Sequence, residues 1–155
     1  MKTFAVLIMA AVIVLFFTAL NTPVAVAGEL ETTLTGKICK GTFSTGTGGA
    51  NTQGAMHIKF YQRGDQFMVG FKGSNSPEAY QNPTADIPGE EQAVSQLSTA
   101  GTSVKFVSQK GTYYHLDYLD GRFEGIANPA NDPTRRNWKP ARVQLSCSNQ
   151  TAQNE

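Results

Sequence analysis

The chain has 155 residues, 40% of them apolar, and carries thirteen Lys and Arg against twelve Asp and Glu. That balance excludes the strong positive field by which proteins attract nucleic acid or anionic membranes at long range. The length suits one domain around one core, and the cysteines number only two.

Lys2 gives a short basic start, and Phe4 to Leu20 is apolar except for Thr18. Asn21-Thr22-Pro23 then breaks the run, and Ala25-Val26-Ala27 precedes Gly28. This is the layout of a secretory signal peptide with a small-x-small cleavage site, so residues 1–27 are read as a signal cleaved after Ala27. The apolar run also approaches the roughly 17–25 residues of a spanning helix, which makes an uncleaved anchor the alternative. Membrane association is expected only in that case. Pro23 and the small Ala25 and Ala27 favour cleavage, and no cysteine near the site invites lipidation. The expected location is secreted or periplasmic. Residues 1–27 hold one basic side chain and no acidic one, so the remainder is formally neutral.

Residues 28–148 read as one all-β domain of about seven strands, an antiparallel barrel or tight sandwich, with 149–155 as a flexible tail. Leu34 to Phe43 is the first strand, followed by the Gly-rich loop 44–54. Met56, Ile58 and Phe60 alternate with His57, Lys59 and Tyr61, and Phe67, Val69 and Phe71 alternate on the return. Gly64-Asp65 between them suits a type II′ turn. Arg63-Gly64-Asp65 at that tip is also the tripeptide that integrins read, and a tight turn accounts for it equally well. Gly73 to Gly101 breaks the pattern with Pro77, Pro83 and Pro88. Within it, Gly89 to Leu97 could form two helical turns, in a domain with at most one short helix.

Alternation resumes at Val104–Val107 and again over Thr112–Leu119, after a turn at Lys110-Gly111. Asp120-Gly121 is a type I′ signal leading into Arg122–Ile126. The loop Asn128–Pro140 precedes the last strand, Ala141–Cys147. The two long loops, Gly73–Gly101 and Asn128–Pro140, frame a barrel mouth if they lie at one end.

Cys39 and Cys147 sit in the first and last strands. In an oxidising compartment they allow one intrachain pairing, Cys39–Cys147. Such a bond closes a loop of about 100 residues, worth up to about 4–5 kcal/mol in the chain-entropy model. It also sets the first strand beside the last, as a barrel requires. No C-x-x-C or H-x-x-H completes a metal set, so no metal and no other cofactor is expected.

His115 and Asp117 are two apart on a strand and share a face, an arrangement open to metal binding or to an oriented base, with His57 as the third member. A solvated polar face is the plainer account. Asp117, Asp120 and Glu124 surround one hairpin and could supply a carboxylate pair for glycoside hydrolysis. The chain has no Gly-x-Ser-x-Gly, His-Glu-x-x-His, phosphate-loop or dinucleotide motif. Aromatic residues gather at Tyr113, Tyr114, Tyr118 and Phe123. Trp138, with Arg135, Arg136, Lys139 and Arg142, makes a basic-aromatic loop suited to an anionic ligand or partner. The candidate ligand-binding residues are Tyr114, Tyr118, Trp138, Arg135, Arg136, His115 and Asp117, with no catalytic set assigned.

Leu34-Thr35-Gly36-Lys37 at the opening of a β domain resembles avidin-type barrels over those four residues. Avidin-type pockets are walled by several tryptophans, whereas this chain has only Trp138. It also lacks the Gly-x-Trp opening of lipocalins, so neither resemblance transfers a site residue. The leading expectation is an exported, non-catalytic binding protein that holds a small molecule or glycan in or at the mouth of a barrel. The alternatives are a protein-binding module, such as an inhibitor of a secreted enzyme or an envelope-assembly component, and then a small hydrolase. Nucleic acid is not an expected partner.

Overall fold

The computed structural model describes residues 27–45, 53–129 and 139–150. The signal-like residues 1–26 and the end of the tail, 151–155, lie outside them. Among the described residues there are two short helices, α1 (Ala27–Leu34) and α2 (Pro77–Gln81). The strands are β1 (Lys37–Ser44), β2 (Gln53–Arg63), β3 (Gln66–Ser74), β4 (Gln92–Ala93), β5 (Ser95–Ala100), β6 (Ser103–Val107), β7 (Tyr113–Leu119), β8 (Arg122–Asn128) and β9 (Ala141–Asn149).

The nine strands form one sheet in the order β4-β3-β2-β1-β9-β8-β7-β6-β5. Every ladder is antiparallel. The two edge strands, β4 and β5, are separated in the chain by Val94 alone. Residues 92–100 therefore reach both edges and bring the sheet nearly to closure as a barrel. Gln92 and Ala93 pair with β3, while β5 pairs with β6. A register shift between Ser95 and Ser98, with Gln96 at φ 52°, lets the chain change partners there.

Nine strands replace the seven expected, and two helices the single one. Residues 89–97, expected to be helical, lie along the seam of the barrel instead. Two isolated helical turns are marginal, whereas this segment gains ladder hydrogen bonds on both sides of the gap. The second helix falls at Pro77, where the Ser76 hydroxyl accepts from the Ala79 N–H at 3.1 Å and proline occupies the first turn. The first strand starts at Lys37, because the chain up to Leu34 is helical. Leu30 and Leu34, four apart, put one face of α1 into the core. Gly36 at φ 79° then ends the helix.

The local turn signals hold. Gly64 has φ 60° while Asp65 is not left-handed, as type II′ requires. Asp120 and Gly121 have φ 49° and 80°, as type I′ requires. Alternation puts Met56, Ile58 and Phe60, Val69 and Phe71, Val104 and Phe106, and Val143 and Leu145 inside. A Cβ at Gly41 would fall on the carbonyl oxygen of Gln144, and one at Gly125 on that of His115. Both are inward positions where the wall bends too sharply for a side chain.

Cys39 and Cys147 are directly opposed on β1 and β9 and are bonded, 108 residues apart in the chain. The bond ties first strand to last, as the sequence predicts. β9 runs on to Asn149, and the Gln150 N–H donates to the Gly36 carbonyl at 2.8 Å, so pairing extends past residue 148.

The registers fix two ends. At one, β1 begins and β9 finishes, and α1 packs: Thr99 of β5 donates to the Glu31 carboxylate at 2.6 Å, and the Gly36 N–H donates to the Phe60 carbonyl at 2.9 Å. At the other, β1, β3, β6 and β8 finish and β2, β7 and β9 begin.

Candidate functional site

Aromatic rings occupy both ends of the interior. At the helix end Phe60 stacks on Phe67 and Phe123, with centroids 5.8 and 5.6 Å away, and Tyr118 leans on Phe123 at 5.0 Å. At the far end Phe106 stacks on Tyr114 at 4.8 Å, and Phe71 tilts against Tyr114 at 5.4 Å. Leu30 and Leu34 of α1 join the core, and among the described residues no helix performs that service at the far end.

A cavity opens there instead. It is a small, half-open recess of about 80 Å³. Phe43, Phe71 and Tyr114 give it aromatic walls, and Ala127 and Ala141 add small apolar ones. Ser108, Thr112, Asn75 and Gln92 bring polar groups, and Lys110 and Lys139 supply the charge. The backbone N–H groups of Ser108 and Thr112 are satisfied within the turn. The Ser108 N–H donates to the Thr112 carbonyl at 2.9 Å, and the Thr112 N–H donates to the Ser108 hydroxyl at 3.3 Å.

The sequence candidates separate. Tyr114 walls the cavity. Tyr118 also points inward but belongs to the aromatic cluster of the helix end. His115 and Asp117 lie on the outer face of β7, 3.7 Å apart from Nε2 to Oδ1, and both are substantially exposed. The Ser103 hydroxyl donates to that same Asp117 oxygen. The carboxylate thus stands between hydroxyl and imidazole, whereas a nucleophilic triad needs the imidazole in the middle. Arg135, Arg136 and Trp138 lie outside the described residues. Among the described residues no three His, Cys, Asp or Glu gather as metal ligands, and His57 is on a different part of the wall from His115. Phe43 and Phe71 were not singled out from the sequence. Their inward phase was visible there, but not the end of the barrel that each would reach.

The loop after β3 does not frame the cavity as expected. Of Gly73–Gly101 only Gly73, Asn75 and Gln92 line it. The middle lies against the outer wall, where Lys72, His57 and Lys40 are cross-strand neighbours on β3, β2 and β1. Each of the three donates to a carbonyl of that segment. Lys40 reaches Thr84 at 3.1 Å, Lys72 reaches Ile87 at 3.3 Å, and His57 Nε2 lies 2.9 Å from the Pro83 oxygen, which can only accept. Ile87 is buried beneath the segment. A groove beside it is also lined by Lys59, Asp86 and Glu91. Burial holds the His57 pKa below its ordinary 6.5, and the Lys40 and Lys72 charges add to this, against opposing effects of the Pro83 hydrogen bond and Asp86.

Among the described residues no helix is long and apolar enough to cross a membrane. Comparison with protein-family models, with curated proteins and with solved structures finds no match to this chain. The functional argument therefore rests on the disulfide-tied barrel and its one-ended cavity.

Proposed function

We propose that this chain is an exported, non-catalytic binding protein that takes a small ligand with an apolar body into the cavity end of its barrel. The observation that carries the reading is the contrast between ends: one receives Leu30 and Leu34 of α1, and the other leaves a half-open recess of about 80 Å³ walled by Phe43, Phe71 and Tyr114. A barrel wall bonded across first and last strands provides a rigid frame for such a site. Apolar walls with a few polar groups are the usual make-up of a small-molecule pocket, and they favour a partly apolar ligand over a glycan. Export is supported by the signal-like residues 1–27 and by the disulfide, which persists in oxidising compartments.

The test is native mass spectrometry of the protein recovered from the compartment it reaches. The expected mass begins at Gly28, is two hydrogens below that of the reduced chain, and carries an extra component lost on denaturation. Ala127→Phe, which fills the cavity from its wall, should remove that component while circular dichroism shows an intact fold. A wild-type chain that carries nothing, or a filled variant that keeps the component, overturns the reading. A mass that includes residues 1–27 would mark the segment as a retained anchor.

A further inference from the structure

We infer that the ligand of the cavity end is an amphiphilic anion, an apolar body ending in one carboxylate or similar group, seated between Lys110 and Lys139. This deepens the proposed binding function and rests on it. Among the described lining residues the charged side chains are those two lysines, with no Asp or Glu beside them. They come from different segments, Lys110 from the turn between β6 and β7 and Lys139 from the approach to β9. Both are exposed, and among the described residues neither has a hydrogen-bonded or ion-paired partner.

The outer groove shows what satisfied lysines look like in this protein. There Lys40 and Lys72 are bonded to backbone carbonyls, and Asp86 lies 4.0 Å from Lys72. At the cavity the cations face an apolar recess with nothing matched to them. The backbone groups of Ser108 and Thr112 in the wall are bonded within that turn, so beside the lysines the polar groups facing the recess are side-chain hydroxyls and amides. An apolar body covers the half-buried Phe43 ring and the edges that Phe71 and Tyr114 leave in the recess, and an anionic end at the rim meets both ammonium groups without being taken out of water. The lysines are exposed, so the charge contributes selectivity of about tenfold rather than most of the affinity.

The test is calorimetric titration of the mature, oxidised protein with two matched pairs, octanoate against octanol and naphthoate against naphthol. Wild-type protein should bind the acid of at least one pair about tenfold tighter than its alcohol, with the preference shrinking as salt is added. Lys110→Gln/Lys139→Gln should bind both members at the alcohol's affinity. Equal binding of acid and alcohol by wild type overturns the anionic assignment and leaves the pocket standing. A preference that survives in the double variant overturns the role of the two lysines. Failure of all four compounds to bind overturns the pocket along with the inference.

Discussion

The two ends of this barrel start from similar materials and finish differently. Each gathers aromatic rings inside a wall of alternating strands, Phe60, Phe67, Phe123 and Tyr118 at one end and Phe71, Phe106 and Tyr114 at the other. What separates them is eight residues, Ala27–Leu34, whose Leu30 and Leu34 complete the core at the first end. The rings at the far end, Phe71, Phe106 and Tyr114, are themselves buried, while Phe67 and Tyr118 at the helix end are only partly so; what marks the far end is the recess walled by Phe43, Phe71 and Tyr114. The proposed binding site is the place where packing stops.

The comparison can be broken by measuring each end. The largest effect is expected at the helix end, where Cys39 and Cys147 lie two residues inside the start of β1 and the finish of β9. Replacing both with serine should cost up to about 4–5 kcal/mol in chemical denaturation, from the entropy the open chain regains. Next, Leu34→Ala should lose about 3 kcal/mol, since Leu34 is fully buried. Phe43→Ala, at the half-buried edge of the cavity, should lose only about 1 kcal/mol while weakening ligand binding. Equal losses from the two would erase the distinction between a filled end and a binding end.

The smallest effect concerns the outer wall rather than either end. The folded state holds the His57 pKa below 6.5, so the unfolded chain takes up a proton first as pH falls. The stability due to this residue is present above pH 6.5 and is lost on acidification through that value toward the lower folded pKa. Protonation would add a third positive charge between Lys40 and Lys72, with Lys59 nearby and Asp86 and Glu91 as the facing carboxylates. His57→Gln keeps a donor for the Pro83 carbonyl but does not titrate. Denaturation midpoints at about pH 7.5 and about pH 5 should differ less for the variant than for wild type. An unchanged difference would show that the acid sensitivity lies elsewhere.

Short-range signals made much of this legible. Gly64-Asp65 and Asp120-Gly121 specify their turns within four residues, and strict alternation on β7 separates Tyr114 and Tyr118 from His115 and Asp117. The cysteine pairing followed from there being only two. Residues 92–100 were misread because their strand conformation depends on two edges brought together from distant parts of the chain, while acidic residues after Pro88 make a local case for helix. The cavity was hidden for a related reason. Alternation shows that Phe43 and Phe71 point inward but not that α1 packs at the opposite end, which leaves the recess at theirs.

The bond between the first and last strands has a consequence in time. Among the described strands, most ladders join neighbours in sequence, from β1 with β2 to β3 with β4 and from β5 with β6 to β8 with β9. The ladder of β1 with β9 runs from Lys37 opposite Asn149 to Ser44 opposite Arg142, about a hundred residues apart along the chain. Hairpins close in about 1–10 μs, whereas contacts between distant segments set the slow step of folding. Once Cys39 and Cys147 are oxidised, that search need not be repeated. A chain that later unfolds stays a loop with its ends joined, and it refolds without having to find them again.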